Sequence, residues 1–281
     1  MMAEWMMCPM QKSWEITALC TTFLRRCEAG FDFTGESHPF WELVVVERGT
    51  VGIAADDRVC TLTAGDAVLH PPMEFHRIWA ADGTAPQFSV VSFMSTLPDD
   101  TGGVYRVGQD GIDEMTAIRT GLEAGFVIRH EQIRAPRREK QMTADIAVRR
   151  LENLLSGMLD GRAAGGLSDS SRRARQYEVA VQYLQDNLSR HLTADTVAAE
   201  LHCSQSALKP LFHRYAGIGM MEYHTRLRIR QAIRLLEQGK SVKEVSFTLG
   251  FSDPNYFSTV FKRITGESPR HYIAERGGQY E

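Results

Sequence analysis

The sequence lacks any apolar run that approaches the ~18 residues needed to cross a membrane. Glu4, Lys12 and Glu15 interrupt the apolar residues near its start and no cleavage pattern follows, so we expect no signal peptide and no membrane partner. The cysteines are few, scattered and without a Cys-x-x-Cys pair: Cys8, Cys20, Cys27, Cys60 and Cys203. This usage excludes a disulfide scaffold and predicts a reduced, cytoplasmic setting.

A strong net charge is also missing, since the formal value is −3 at pH 7. Charge is nevertheless distributed unevenly along the chain. Residues 169–281 hold 16 Lys and Arg against 12 Asp and Glu, whereas residues 1–168 hold 16 against 23. Because nucleic-acid backbones are dense in negative charge, the basic C-terminal part is the better candidate for a DNA contact.

Two copies of one short unit follow each other in this basic part, offset by 48 to 49 residues. The matching pairs are Thr193 and Ser241, Val197 and Val245, Leu201 and Leu249, Leu208 and Phe257, Phe212 and Phe261, Arg214 and Arg263, and Gly217 and Gly266. In each copy a capped short helix is followed by a second helix with an apolar stripe at positions i, i+3, i+4 and i+7. The repeat therefore predicts two helix-turn-helix units.

The second unit resembles the DNA-binding domain of the AraC family of transcription regulators. The resemblance rests on the run from Gly250 to Ser258, on Phe261-Lys262-Arg263, and on Gly266 and Pro269. It implies that a helix around 221–236 holds two recognition helices about one DNA turn, or ~34 Å, apart.

Polar side chains on the outer faces of the two recognition helices are the candidate DNA contacts. For base contacts we expect Gln205, Ser206, Lys209, Asn255, Ser258 and Thr259. For phosphate contacts we expect His213, Arg214, Lys262 and Arg263. Family members often carry Arg where this chain has Pro210 and Thr259. Pro210 also falls inside the first recognition helix, where proline predicts a kink or a cost of ~3 kcal/mol.

The N-terminal part has many short strand patterns with turn residues between them, which is typical of a double-sheet barrel or jelly roll. The predicted strands cover residues 42–47, 51–54, 58–62, 67–70, 75–80 and 87–94. The region resembles a cupin through parts of two motifs: His38, Glu42 and Gly49 in the first, and Gly65, Pro71 and His76 in the second. The fold class is α+β, with flanking helices on the barrel and an all-α C-terminal domain.

A small-molecule pocket inside the barrel is the predicted use of this domain, because such sites combine apolar walls with a few polar groups. The candidate effector contacts are His38, Phe40, Trp41, Glu42, His76 and Trp79. A sugar is the effector that the resemblance favours, with an aromatic acid or a polyamine as alternatives. We expect no cofactor and no metal, because the sensors of the family generally work without one. The alternative is a divalent metal held by His38, Glu42 and His76.

Two apolar stripes at helical spacing follow the barrel, one around 115–122 and one at 147–158. The second either packs on the barrel or forms a homodimer contact through helices around 141–159. A stretch rich in Gly and Ser then predicts a linker. The expected domains are residues 1–165 for effector sensing and dimerisation, and residues 166–281 for DNA binding.

Together these features predict an effector-responsive transcription regulator, an activator rather than a repressor, and not an enzyme. Its expected partners are double-stranded DNA, a small-molecule effector, RNA polymerase and a second copy of the chain. Two other functions stay open from the sequence. One is a metal-dependent cupin enzyme with an appended DNA-binding domain, and the other is a DNA-binding protein without an effector.

Overall fold

The computed structural model describes residues 12–161, 167–168 and 171–277. Its N-terminal part is built from two facing β-sheets. The strands are β1 Ile16–Arg26, β2 Trp41–Arg48, β3 Thr50–Ala55, β4 Arg58–Thr63, β5 Asp66–His70, β6 His76–Ala80, β7 Gln87–Ser95, β8 Gly103–Arg106, β9 Phe126–Arg129, β10 Gln132–Pro136 and β11 Leu167–Ser168. All six predicted strands are present, with bounds shifted by one or two residues at most.

The larger sheet has the order β8-β5-β2-β7-β1-β10-β9, and the smaller has the order β11-β4-β3-β6. Every strand pair is antiparallel. Along each strand, successive side chains alternate between the inner and the outer face of the sheet. Val44, Val90 and Ile53 belong to the apolar cluster between the sheets. This alternation decides which side chains reach the interior of the barrel.

Two helices cover the outer face of the larger sheet: α1 Gly108–Gly125 and α2 Gln141–Gly161. Leu151 and Leu155 of α2 are fully buried, in one cluster with Leu43 of β2 and Ile118 of α1. The predicted stripe at 147–158 is therefore used within the chain. Its leucines pack on α1 and the barrel, which is the first of the two predicted alternatives for this stripe.

The C-terminal part is helical. Its helices are α3 Arg172–Asp186, α4 Ala194–Glu200, α5 Gln205–Tyr215, α6 Met220–Glu237, α7 Val242–Thr248, α8 Pro254–Thr265 and α9 Pro269–Gly277. Helices α4 and α5 form the first helix-turn-helix unit, and α7 and α8 form the second. The long helix α6 joins the two units, because its first half packs in the cluster of the first and its second half in that of the second.

Side-chain caps set the starts of these helices as the sequence predicts. The Thr193 hydroxyl accepts from the backbone N–H of Thr196, and Ser241 accepts from Glu244. Asp253 caps α8 and Pro254 occupies its first turn. Pro210 lies within α5, and the helix continues through it to Tyr215. The helix is not interrupted at Pro210, although Pro210 supplies no N–H to it.

No helix in the described ranges is both long and apolar enough to span a membrane. The predicted domain boundary near residue 165 lies outside the described residues. Strand β11 follows it and pairs with β4 through Leu167 and Thr61. The chain thus adds a short strand to the smaller sheet just before α3 begins.

Candidate effector pocket and DNA-binding surface

A cavity of about 520 Å³ lies between the two sheets. Its volume falls within the range of small-molecule sites, roughly 300–1,000 Å³. The walls combine aromatic rings with charged and imidazole groups from both sheets and from the turn between β9 and β10. They include Phe23, Arg25, Phe31, Phe33, Glu36, His38, Phe40, Glu42, His70, His76, Ile78, Phe88, His130 and Glu131. The barrel therefore has the kind of interior that its predicted sensing role requires.

Four of the six predicted effector contacts line this cavity: His38, Phe40, Glu42 and His76. Trp41 does not, because Glu42 points inward and alternation turns Trp41 to the opposite face, where it packs against α1 and α2. Trp79 also lies outside. Its ring packs 6.2 Å from that of Tyr215 in α5, on the side that faces the helical domain. Contrary to the prediction, neither tryptophan lines this cavity.

Glu36, His38, Glu42 and His76 gather at one end of the cavity, each offering a ligand atom within 4.8 Å of the others. The Nε2 atom of His38 lies 3.5 Å from a Glu42 oxygen, and that of His76 lies 3.3 Å from the other Glu42 oxygen. Neither contact has hydrogen-bond geometry, and both Nε2 atoms are buried without a hydrogen-bond partner. We refer to these four residues as the His/Glu cluster.

The second ring nitrogen of each histidine in the cluster faces a main-chain carbonyl. The distances are 3.0 Å from His38 Nδ1 to Phe40 O and 3.1 Å from His76 Nδ1 to Glu74 O. A carbonyl oxygen can only accept, so each Nδ1 carries the proton and donates it. The ring orientation is thereby fixed with Nε2 toward Glu42.

Charge within the cluster is mutually stabilised. Burial alone raises the pKa of Glu42, but the neighbouring His38 and His76 outweigh it and hold that pKa well below its usual range. Burial lowers the pKa of His76, and Glu42 more than compensates, so this pKa is raised. His70 stacks on His76 at 4.2 Å, and burial together with the His76 charge lowers the pKa of His70 to about 4.

Strand β6 separates the cavity from the first helix-turn-helix unit. His76, Arg77 and Ile78 all line the cavity, and Arg77 and Trp79 also contact α5. The Arg77 guanidinium donates to the carbonyl of His213 at 2.8 Å and also to that of Arg214. A second pair of its bonds, both 2.7 Å, reaches the carboxylate of Asp32.

Two further contacts join the barrel to the helical domain. Asp56 forms an ion pair with Arg230 of α6, and its carboxylate accepts from the Tyr223 hydroxyl at 3.2 Å. Gly217, just after α5, lies so close to Thr34 that a Cβ atom on it would stand 2.1 Å from the Thr34 carbonyl oxygen. The two domains therefore meet in a fitted, partly charged contact.

The predicted DNA contacts lie on the outer faces of α5 and α8. All are exposed except the half-buried Ser258: Gln205, Ser206, Lys209, His213, Arg214, Asn255, Thr259, Lys262 and Arg263. The hydroxyls of Ser258 and Thr259 donate to carbonyls one turn earlier, at 2.8 and 3.0 Å. Lys209 and Asn255 present side chains that are better suited to reach a base edge.

Sequence reasoning missed several cavity residues. Glu36 belongs to no run of alternating residues, but it pairs with His76 across an isolated bridge whose two main-chain bonds are 2.9 and 3.0 Å long. His130 and Glu131 lie in the turn between β9 and β10, and neither of these two strands was predicted from the sequence. Phe23 lies on β1 and points inward, a position that alternation along that strand would have revealed.

A barrel with a ligand-sized cavity, joined to two helix-turn-helix units, defines a ligand-sensing DNA-binding protein. Comparison with known proteins agrees. Residues 21–103 match the family described as AraC-like ligand binding domain, and residues 197–275 match a helix-turn-helix domain. Together these regions cover more than half of the chain. The chain belongs to the AraC family of transcription regulators.

Full-length relatives support this assignment. The chain is 26% identical over 251 residues to the HTH-type transcriptional activator RhaR of Enterobacter sp. (strain 638), covering 84% of this chain and 86% of that protein. It is 25% identical over 253 residues to RhaS of the same strain, covering 85% and 86%. A solved structure of fatty-acid-bound ToxT from Vibrio cholerae matches at 14% identity with a TM-score of 0.38, covering 94% and 97%. A TM-score this low adds nothing to the assignment.

Proposed function

We propose that this protein binds two DNA half-sites through α5 and α8, and that a small molecule in the barrel cavity controls that binding. One observation carries the proposal: β6 lines the cavity and also contacts the first recognition helix. His76 faces the cavity, and the adjacent Arg77 holds the last carbonyls of α5. A displacement of β6 by a bound molecule is therefore transmitted directly to α5.

Such control requires that the effector bind two arrangements of the protein with different affinity. The docked arrangement described above is one of them. A molecule that shifts β6 disfavours the Arg77 contacts with α5, so it favours a second arrangement in which α5 is repositioned on DNA. The mixed walls of the cavity, with phenylalanine rings beside Arg25 and Glu131, suit a small polar molecule with a flat apolar face, such as a sugar.

We further propose activation as the direction of control, because both relatives are named transcriptional activators. Activation implies a contact with RNA polymerase. Action on DNA fits the cytoplasm, as do the free thiols of the four cysteines in the described part of the chain. A second copy of the chain is also part of the proposal. Its contact would use the outer face of α2, where Met142 and Ile146 are 70% and 49% exposed.

The direct test of DNA binding is selection of sites from random duplex DNA by the full-length protein. We expect two sequence motifs about one helical turn, or ~34 Å, apart. Lys209→Ala is expected to relax base preference in one motif and Asn255→Ala in the other. A good contact between a side chain and a base contributes about 1–3 kcal/mol to the discrimination against other bases. Lys140→Ala, in the barrel domain, is the control and leaves both motifs unchanged. A selection in which neither variant alters its motif overturns the assignment of these two readers.

A further inference from the structure

The His/Glu cluster at the end of the cavity has a geometry that binding of a neutral effector does not require. Two imidazole nitrogens and carboxylate oxygens of two glutamates, from separate segments of the chain, lie within 4.8 Å of one another. His76 is only 5% exposed, and its Nε2 has no hydrogen-bond partner. Burying such a nitrogen unsatisfied is costly unless another group binds it.

The spacing of the ligand atoms fits a metal ion. Two ligands at about 2.0–2.1 Å from a tetrahedral ion lie about 3.4 Å apart. The two distances from imidazole Nε2 to Glu42 oxygens are 3.3 and 3.5 Å. These two distances end on different oxygens of one carboxylate, and one ligand atom from each of the four residues lies within 4.8 Å of the others, so modest side-chain shifts bring all four to one ion.

The hydrogen-bond partners of the two histidine side chains are also those of a metal site. Histidine ligands normally donate their other ring N–H to a carbonyl or carboxylate, which fixes the ring and its tautomer. His38 does so to Phe40, and His76 does so to Glu74. In both rings Nε2 is the nitrogen directed into the cluster, and it carries a lone pair whenever the ring is neutral.

Glu36 supplies the fourth ligand and is held in place by the main chain. Its N–H and carbonyl both bond with His76, which puts the two side chains on the same face of the bridge. Gly35, at φ +94, makes the approach possible, because a Cβ there would lie 2.5 Å from the Phe75 ring. A carboxylate is thus delivered beside His76 by backbone geometry rather than by a flexible loop.

We propose that Glu36, His38, Glu42 and His76 form a binding site for one divalent transition-metal ion inside the barrel. Two imidazoles with carboxylates suit zinc or iron(II) and do not suit Mg²⁺ or Ca²⁺, which prefer oxygen ligands throughout. The ion lies at the wall of the cavity, beside the space where a small molecule binds. The inference is independent of DNA binding, since it concerns only the barrel.

The test is a metal titration of tag-free, full-length protein from which metal has been removed with a chelator. Co²⁺ binding is followed by its visible spectrum and Zn²⁺ binding by calorimetry. We expect about one equivalent of either ion, with nitrogen and oxygen ligation in the cobalt spectrum. Glu42→Gln and His76→Gln are each expected to weaken binding by more than about 100-fold, the upper range seen when only a supporting partner is removed.

Two more variants keep the result interpretable. Glu36→Gln changes an exposed side chain, so the fold is retained while metal affinity falls. His130→Asn is the matched control, because His130 lines the same cavity outside the His/Glu cluster and its φ of 50° suits asparagine. It leaves metal affinity unchanged. Failure of the wild-type protein to bind an equivalent of metal overturns the proposal, as does equal binding by wild type, Glu36→Gln and Glu42→Gln.

Discussion

The guanidinium of Arg77 lies 2.8 Å from the carbonyl oxygen of His213, in the last turn of the first recognition helix. A cation at a helix C-terminus satisfies carbonyls that have no partner within the helix and interacts favourably with the helix dipole. Here the cation comes from a strand of the sensor barrel. The recognition helix is therefore completed by a residue of the other domain.

We expect Arg77→Met to weaken the contact between the domains by about 1.5–3 kcal/mol, because it removes hydrogen bonds from a charged donor while the apolar stem remains. Hydrogen exchange is the measurement, and amide protection near the end of α5 is expected to fall. Arg234→Met is the control. Its pair with Asp99 is 3.2 Å long but both side chains are nearly half exposed, so the loss is at most ~1 kcal/mol. Equal effects of the two variants would contradict the role of Arg77.

Gly217 and Gly266 occupy equivalent positions of the two units and both have left-handed backbone, with φ of 67° and 89°. Alanine at either glycine strains the backbone by a similar amount, about 1–2 kcal/mol. Only at Gly217 would the new Cβ meet the Thr34 carbonyl, since nothing lies within 4 Å at Gly266. We therefore expect Gly217→Ala to lower the thermal midpoint of the full chain further than Gly266→Ala does. Identical shifts would mean that the domains do not meet at Thr34 in solution.

His224 in α6 is buried, and its burial together with the nearby Arg228 charge lowers its pKa to about 4. In the unfolded chain the pKa is about 6.5. Between those values the unfolded state binds a proton that the folded state does not, so stability is lost as pH falls from about 6.5 towards 4. His224→Gln is expected to flatten that part of the curve in urea unfolding. If His224→Gln and the wild-type protein show the same dependence of stability on pH, His224 does not titrate in this way.

The outer face of α2 is the expected contact with a second copy. Met142→Glu combined with Ile146→Glu places charge on two exposed neighbours one turn apart, and a folded monomer is expected by light scattering. Leu151→Glu provides the contrast. It buries a carboxylate in the core and should destabilise the chain by several kcal/mol. A double variant with the mass of the wild-type protein would place any dimer contact elsewhere.

Much of this architecture is predictable because it depends on local chemistry. The helix-turn-helix units followed from caps such as Ser241 and Asp253 and from periodic apolar stripes, and the barrel strands followed from their turn residues. Strands β9 and β10 were missed because their turn uses His130 and Glu131 at positive φ, where glycine or asparagine is the usual signal.

The errors within the sensor domain have a different origin. A tryptophan on a strand is apolar on either face, so composition does not say whether it meets an effector, a helix or another domain. Trp41 was decidable from its neighbour Glu42, because alternation separates the two. The face of Trp79 was decidable in the same way, because Trp79 stands three residues from His76 on one strand. What covers it was not, since the helical domain lies more than a hundred residues further along the chain. Glu36 became visible only through its pairing with His76.

The ion pair between Asp56 and Arg230 gives the domain contact an all-or-none character. Partial separation would leave Asp56 or Arg230 without its partner before water can surround it, and an isolated buried charge is far less stable than either a paired or a hydrated one. Arrangements between docked and fully parted are therefore sparsely populated. A regulator built in this way responds to rising ligand concentration by exchanging molecules between two populations rather than by a graded deformation of each one.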